Sequence, residues 1–322
     1  MIKAVQKNIH FFTGLGYATI FGFSFMFTAE VLEYISPYHL LSFRFMFAFL
    51  TMTLIQFALG NRLKVKKIPL SKKLLLLVFF QPFLYFSAET TGVRMTSSSE
   101  AGMMIALIPI FVAIFSAVFL KEYPKKVQIP FILSSVSGVI FIAIMQGRAE
   151  GEVVSNLAGI MVLLIAVLAG AGFNITSRSL SVSLTPFQRT YSMMGAGALI
   201  FSTIAVIQQG IKGELSSFFV PLTYTEVLIP LLYLGILSSV VAFFLINFTL
   251  SKVNAAQGAV FANLVTVISI TAGVFIRGES FYYYHVIGAF FIITGVLGTN
   301  LLGKQKPVSS KGIYVKQEPK AS

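Results

Sequence analysis

The chain has 322 residues, 56% hydrophobic and 11% charged, with a mean hydropathy of +0.86. A soluble domain carries about 25% charged residues, and less than half of that cannot coat a globule of this size, so a soluble one- or two-domain enzyme is excluded. The 24 Lys and Arg against 11 acids give +13, an excess read here as membrane topology rather than nucleic-acid binding, because basic residues beside apolar spans set their orientation.

A bilayer core of about 30 Å needs roughly 20 mainly apolar residues per helix. After a short N-terminal segment (1–10) with Lys3 and Lys7, ten such runs follow: 11–32, 38–58, 74–94, 99–120, 127–146, 156–176, 187–208, 226–249, 255–276 and 283–302. Turn and charge signals separate them, among them Ser36-Pro37, the basic run from Asn61 to Lys73, and Lys121 to Lys126. The pattern predicts an all-α polytopic membrane protein of ten transmembrane helices with no soluble domain. Residues 303–322 are polar and Pro-containing, and are expected to be a disordered tail.

With the N-terminus inside, nineteen basic residues fall in inside segments. Four fall outside: Arg94, Arg148, Lys212 and Arg277. Arg44 lies within the second span. That bias predicts cytoplasmic placement of both the 1–10 segment and the tail. No small-residue cleavage site follows Lys3 and Lys7, and Glu30 and Glu33 come next, so the first span is expected to stay as a permanent helix.

The chain also echoes itself. Arg94-Met95-Thr96-Ser97-Ser98 leads through an apolar run to Lys121-Glu122 and a run containing Gly138. Lys252-Val253-Asn254-Ala255-Ala256 leads likewise to Gly278-Glu279 and Gly295, at an offset of 157 from Gly138. Ser36-Pro37 is echoed by Thr185-Pro186. The expected organisation is a first five-helix repeat over 11–146, an external linker over 147–155 and a second five-helix repeat over 156–302. An odd number of spans per copy inverts the second copy relative to the first. Inverted repeats characterise alternating-access carriers, with the substrate site at the repeat interface.

These landmarks, with Gly22, Ser36-Pro37, the Arg44 of "SFRF", "TSSSEAGMMIALIPIFVAIFSAVFLKE" (96–122) and "NAAQGAVFANLVTVISITAGVFIRGE" (254–279), resemble the EamA branch of the drug/metabolite transporter superfamily over about 11–302. The resemblance implies a ten-helix, multi-pass carrier of a bacterial inner membrane that moves small metabolites, often outward, without ATP. The chain departs from the pattern at Phe21, where the family often has Trp, and at Thr266, which stands where the first copy has Pro109.

Ionisable groups at bilayer depth are functional candidates by default. Arg44, Glu89 and Glu100 qualify as coupling or ion-pair residues. All three are expected in the outer half, at depths that allow Arg44 to pair with Glu89 or Glu100. Gln81, Tyr85 and Glu89 share i, i+4, i+8 spacing and hence one helix face, with Pro82 loosening the ladder beside them. Ser239, Phe243 and Asn247 repeat that spacing in the eighth span. The two stripes, together with Asn174, Gln257 and Asn263, are expected to line a cavity for an amphipathic solute. Glu122 and Glu279 are read as structural helix ends beside Lys121 and Arg277.

No cofactor and no metal is expected. The three His stand at span ends, and Gly298-x-x-x-x-Gly303-Lys304 lacks the Ser/Thr of a phosphate loop and ends a membrane helix. Cysteine and Asp are absent, which removes thiolate and aspartyl chemistry. The expected function is a secondary active transporter, an exporter of small metabolites such as amino acids or related amphipathic solutes, with protons as a candidate coupling ion. Expected partners are the lipid bilayer and a small-molecule substrate, with no nucleic acid; a homodimer is left open. Two alternatives are a membrane-embedded lipid-modifying enzyme, which needs a His or Asp at the interface, and a non-transporting sensor subunit.

Overall fold

The computed structural model describes residues 9–60, 68–95, 101, 104–149, 157–277 and 282–302. Glu100, Glu279, the tail and most of the expected linker lie outside them. Among the described residues the regular structure is entirely helical. In chain order the helices are α1 (Ile9–Leu32), α2 (Pro37–Leu59), α3 (Lys72–Met95), α4 (Ile108–Leu120), α5 (Ile129–Ala149), α6 (Leu157–Leu180), α7 (Pro186–Lys212), α8 (Thr225–Lys252), α9 (Ala255–Ala259), α10 (Ala262–Arg277) and α11 (Tyr283–Leu302).

Local chemistry sets their ends. Pro37 and Pro186 open α2 and α7, where a missing N–H removes no helical bond. Thr185 and Gln188 complete a reciprocal capping box on α7, with bonds of 3.2 and 2.9 Å. Gly213 closes α7 in the left-handed region at φ 73°.

Six helices among the described residues are long and apolar enough to cross a membrane: α1, α2, α3, α6, α7 and α8. Four further apolar helices are shorter, Ile108–Leu120, Lys126–Ile142, Ala255–Ser269 and Val286–Thr299. Among the described residues the other four expected spans are shorter or interrupted, and two of the interruptions have a visible cause. The fourth expected span breaks at Ala106–Leu107, ahead of Pro109, which has no N–H to donate. The ninth breaks at Val260–Phe261, where Phe261, Asn263 and Leu264 bond three residues back rather than four.

The helices pack in a pattern that a shift of five spans maps onto itself. The main pairs are α2 with α7, α5 with α11, α3 and α4 with α6, and α8 and α10 with α1. The α5–α11 seam shows the symmetry atom by atom. A Cβ on Gly138 would stand 2.6 Å from Gly288 O, and one on Gly295 would stand 2.5 Å from Phe131 O. Moving 157 residues forward from Gly138 and 157 back from Gly288 turns the first pair into the second. Both contacts lie inside van der Waals distance, so only glycine permits the approach.

Apolar packing forms two clusters. One gathers α1, α4, α5, α6, α9, α10 and α11; the other gathers α2, α3, α7 and α8 with parts of α1 and α6. Phe21, Tyr85 and Ile246 touch both. Large apolar side chains such as Phe57 and Ile211, about four-fifths exposed, cover the outside, as a lipid-facing surface requires.

Candidate functional site

Where the two clusters meet, the helices leave a central cavity of about 70 Å³. That is room for a few water molecules. Its wall draws on both halves of the chain, with α1, α2, α3 and α4 on one side and α6, α8, α9 and α10 on the other. The two broken elements both reach it, through Ile105 and Ile108 and through Ala259 and Ala262. Discontinuous helices at a repeat interface are a recurrent way to build a solute site.

Gln81, Tyr85 and Glu89 all line this cavity. They do so on a helix less regular than the spacing assumed. Phe79–Leu84 is π-helical, Gln81 has extended backbone (φ −151°, ψ 119°), and Pro82 lies inside. Glu89 is buried, and its Oε2 accepts a bond of 3.1 Å from Thr90 Oγ1.

Arg44 lines the same cavity at 2% exposure. Its Nε donates to Ser239 Oγ at 2.9 Å and its Nη2 to Ser238 Oγ at 2.8 Å, and the guanidinium carbon lies 4.4 Å from the centre of the Phe86 ring. The expected ion pair between Arg44 and Glu89 is not formed. Two hydroxyls of α8 hold the guanidinium instead. The other expected partner, Glu100, lies outside the described residues.

Asn174 and Phe243 also line the wall. Asn174 donates to Gly170 O of its own helix at 2.8 Å, and its Oδ1 is buried without a partner. Phe243 packs edge-on to Phe21 and Phe173, at centroid distances of 5.3 and 6.0 Å, and closes the aromatic side.

Four expected wall residues are placed elsewhere. Ser239 does not line the cavity; its hydroxyl is taken by Arg44. Asn247 is off the wall, accepting at Oδ1 from Ser177 Oγ (2.6 Å) and donating to Thr190 Oγ1 (3.1 Å). Gln257 belongs to the first turn of α9, where its N–H is capped by Asn254 Oδ1 at 2.7 Å. Asn263 ties α10 to α5 through Ser135 Oγ at 2.7 Å. Ser239 leaves the second stripe because the ten residues Tyr233–Ala242 of α8 are π-helical. Their i→i+5 bonding changes the angular step and undoes the i, i+4 face.

Two corrections concern charges first assigned to loops or interfaces. Arg189 is fully buried. Its Nη1 donates to Ser177 O (2.8 Å) and Oγ (2.6 Å), and its Nη2 to Asn247 O (2.6 Å), while Nε has no partner. Glu122, expected as an interfacial helix end, turns inward to pair with Arg178 at 3.0 Å. Among the described residues no group of three His or Glu could hold a metal ion.

The profile of the EamA-like transporter family matches this chain twice, over residues 8–144 and 157–301. YcxC of Bacillus subtilis (strain 168), described as an uncharacterized transporter, is 35% identical over 298 residues, covering 92% of this chain and 94% of its own. An uncharacterized transporter of Archaeoglobus fulgidus is 25% identical over 279 residues, covering 86% and 94%. A solved crystal structure superimposes with a TM-score of 0.72 at 15% identity, covering 92% of this chain and 98% of that one, a likeness of fold. With both copies of the profile matched across nearly its whole length, the chain belongs to the EamA-like transporter family and is a multi-pass membrane transporter.

Proposed function

We propose that this transporter is a ten-span secondary carrier of small amphipathic solutes such as amino acids. In this reading two inverted five-helix copies alternate access to the central cavity, export is the working direction, and both termini face the cytoplasm. The observation that carries it is the cavity wall itself. Arg44 and Glu89 share one small space at the junction of the two copies without forming a direct salt bridge. Charged groups are expensive at bilayer depth unless a wet cavity or a ligand compensates them.

The wall offers the solute three kinds of contact. Arg44 can receive an anionic group, Glu89 a cationic group or a proton, and Phe21, Phe173 and Phe243 an apolar body. The carboxylate of Glu89, held at one oxygen by Thr90, keeps the other oxygen for solute or proton. Proton coupling then requires that Glu89 exchange a proton with whichever side the cavity faces. Rocking of one copy on the other is supported by the glycine seam of α5 and α11, where smooth close contact permits sliding.

The test is reconstitution into liposomes with a panel of amino acids, amines and nucleosides, with and without a pH gradient. Saturable flux of at least one solute, lost in Glu89→Gln, is the expected result. No flux for any solute counts against the carrier reading. Flux that ignores the pH gradient removes the proton from it.

A further inference from the structure

The last turn of α6 carries three consecutive polar contacts to other helices. Ser177 Oγ donates to Asn247 of α8 at 2.6 Å, Arg178 Nε donates to Glu122 Oε1 at 3.0 Å, and Ser179 Oγ accepts from Lys73 Nζ of α3 at 2.9 Å. The middle contact is the one ion pair among the described residues. Each partner does a second job. Glu122 Oε2 accepts from Ala255 N at 3.3 Å, at the start of α9, and Arg178 Nη1 donates to Leu250 O at 3.2 Å, in the last turn of α8. Glu122 is turned back onto the bundle because Lys121 ends α4 in the left-handed region (φ 54°) and Glu122 N bonds Ser116 O at 3.1 Å. One carboxylate and one guanidinium thus join the ends of four helices. Glu122 belongs to the first matched copy; Arg178, Leu250 and Ala255 belong to the second.

The pair also stands in register with the cavity. Asn174, Ile246 and Ala259 line the cavity. Arg178, Leu250 and Ala255 lie four residues away along the same helices, in each case toward the end that carries Lys72, Lys121 and Lys252. Four residues of helix are about 6 Å. Three helices therefore set the ion pair one turn beyond the cavity floor, and a solute passing that end has to cross it.

We infer that Glu122 and Arg178 form a latch that closes the basic end of the carrier. Parting them frees α4 of the first copy from α6, α8 and α9 of the second and opens the cavity to that side. The inference rests on the carrier reading above and adds to it the contact that selects between its two states.

The experiment needs no transported solute. The chain has no cysteine, so Ala262→Cys on the cavity wall supplies a single thiol. A membrane-impermeant maleimide is applied to vesicles from the side of Lys72 and Lys121, and separately from the other side. In the full-length protein, Glu122→Gln or Arg178→Gln is expected to speed labelling from the basic side by about tenfold, the effect of losing a charge-assisted bond from one of two states. Glu122→Arg speeds it at least as much, and adding Arg178→Glu slows it again below that single variant. Labelling from the opposite side, together with an unchanged gel-filtration profile, reports that each variant is folded. Equal basic-side rates in the parent and both Gln variants overturn the latch. So does a charge-reversed pair that labels as fast as Glu122→Arg alone. Absent flux in liposomes counts against the carrier reading, whereas invariant labelling counts against the latch.

Discussion

Two buried arginines, Arg44 and Arg189, are alike in burial and opposite in circumstance. Arg189 is fully buried between α6 and α8, where its two Nη groups donate to Ser177 O and Oγ and to Asn247 O. Arg44 is held by Ser238 and Ser239 and by the Phe86 ring, and fronts a cavity with Glu89 on the same wall. A buried charge that bridges two helices maintains packing. One with open space before it can serve a ligand. Residue type and depth do not separate the two; the open space in front of Arg44 does.

That contrast can be broken by substitution. Arg189→Met leaves Ser177 O and Asn247 O without their donor, and should lower stability by about 3 kcal/mol, read as a fall in the thermal midpoint in detergent. An unchanged midpoint would remove Arg189 from the packing role. Glu89→Gln tests the other side: flux of the preferred solute should fall about 10- to 100-fold, the value of a bond to a charged group, while the midpoint moves little. If the midpoint falls as far as in Arg189→Met, Glu89 is a structural residue as well. Gly295→Ala, which sets a methyl against Phe131 O, should cost about 1–2 kcal/mol through overpacking, and Gly138→Ala should match it. Unequal losses would show that the two ends of the α5–α11 seam are not equivalent. The smallest effect belongs to Asn174→Ala, whose amide donates only within its own helix. Flux should change about two- to fivefold, a fraction of one neutral hydrogen bond to the solute, with stability unaltered. A large fall in stability instead would place Asn174 with Asn247 among the packing residues.

Much of this was legible before the structure. Apolar runs located the helices because a bilayer demands length and composition, which a sequence displays directly. Gly138 and Gly295 marked the repeat because close helix approach tolerates only one residue type. Gln81, Tyr85 and Glu89 were found by spacing, although the helix they stand on is locally π-helical. The same spacing held for Phe243 but failed for Ser239 and Asn247. Periodicity assigns residues to one face only while the angular step is constant, and Tyr233–Ala242 does not keep it. Arg189 was missed because a basic residue near a span end looks like a loop residue; its burial depends on Ser177 and Asn247, 12 and 58 residues away. Pro109 foreshadowed one helix break, whereas the break at Val260–Phe261 has no proline to announce it.

Those two breaks bear on the electric field inside the protein. Ile108 is the first residue of α4 and Ala262 the first of α10, and both line the cavity. Each thus aims the positive end of its peptide dipoles inward, from opposite ends of the bundle. The end of α9 at Ala259 brings the opposite pole to the same wall, so the main chain presents both polarities there and Arg44 supplies the standing positive charge. Glu89 is the single carboxylate on that wall among the described residues, so its protonation would swing the whole compartment from near balance to net positive.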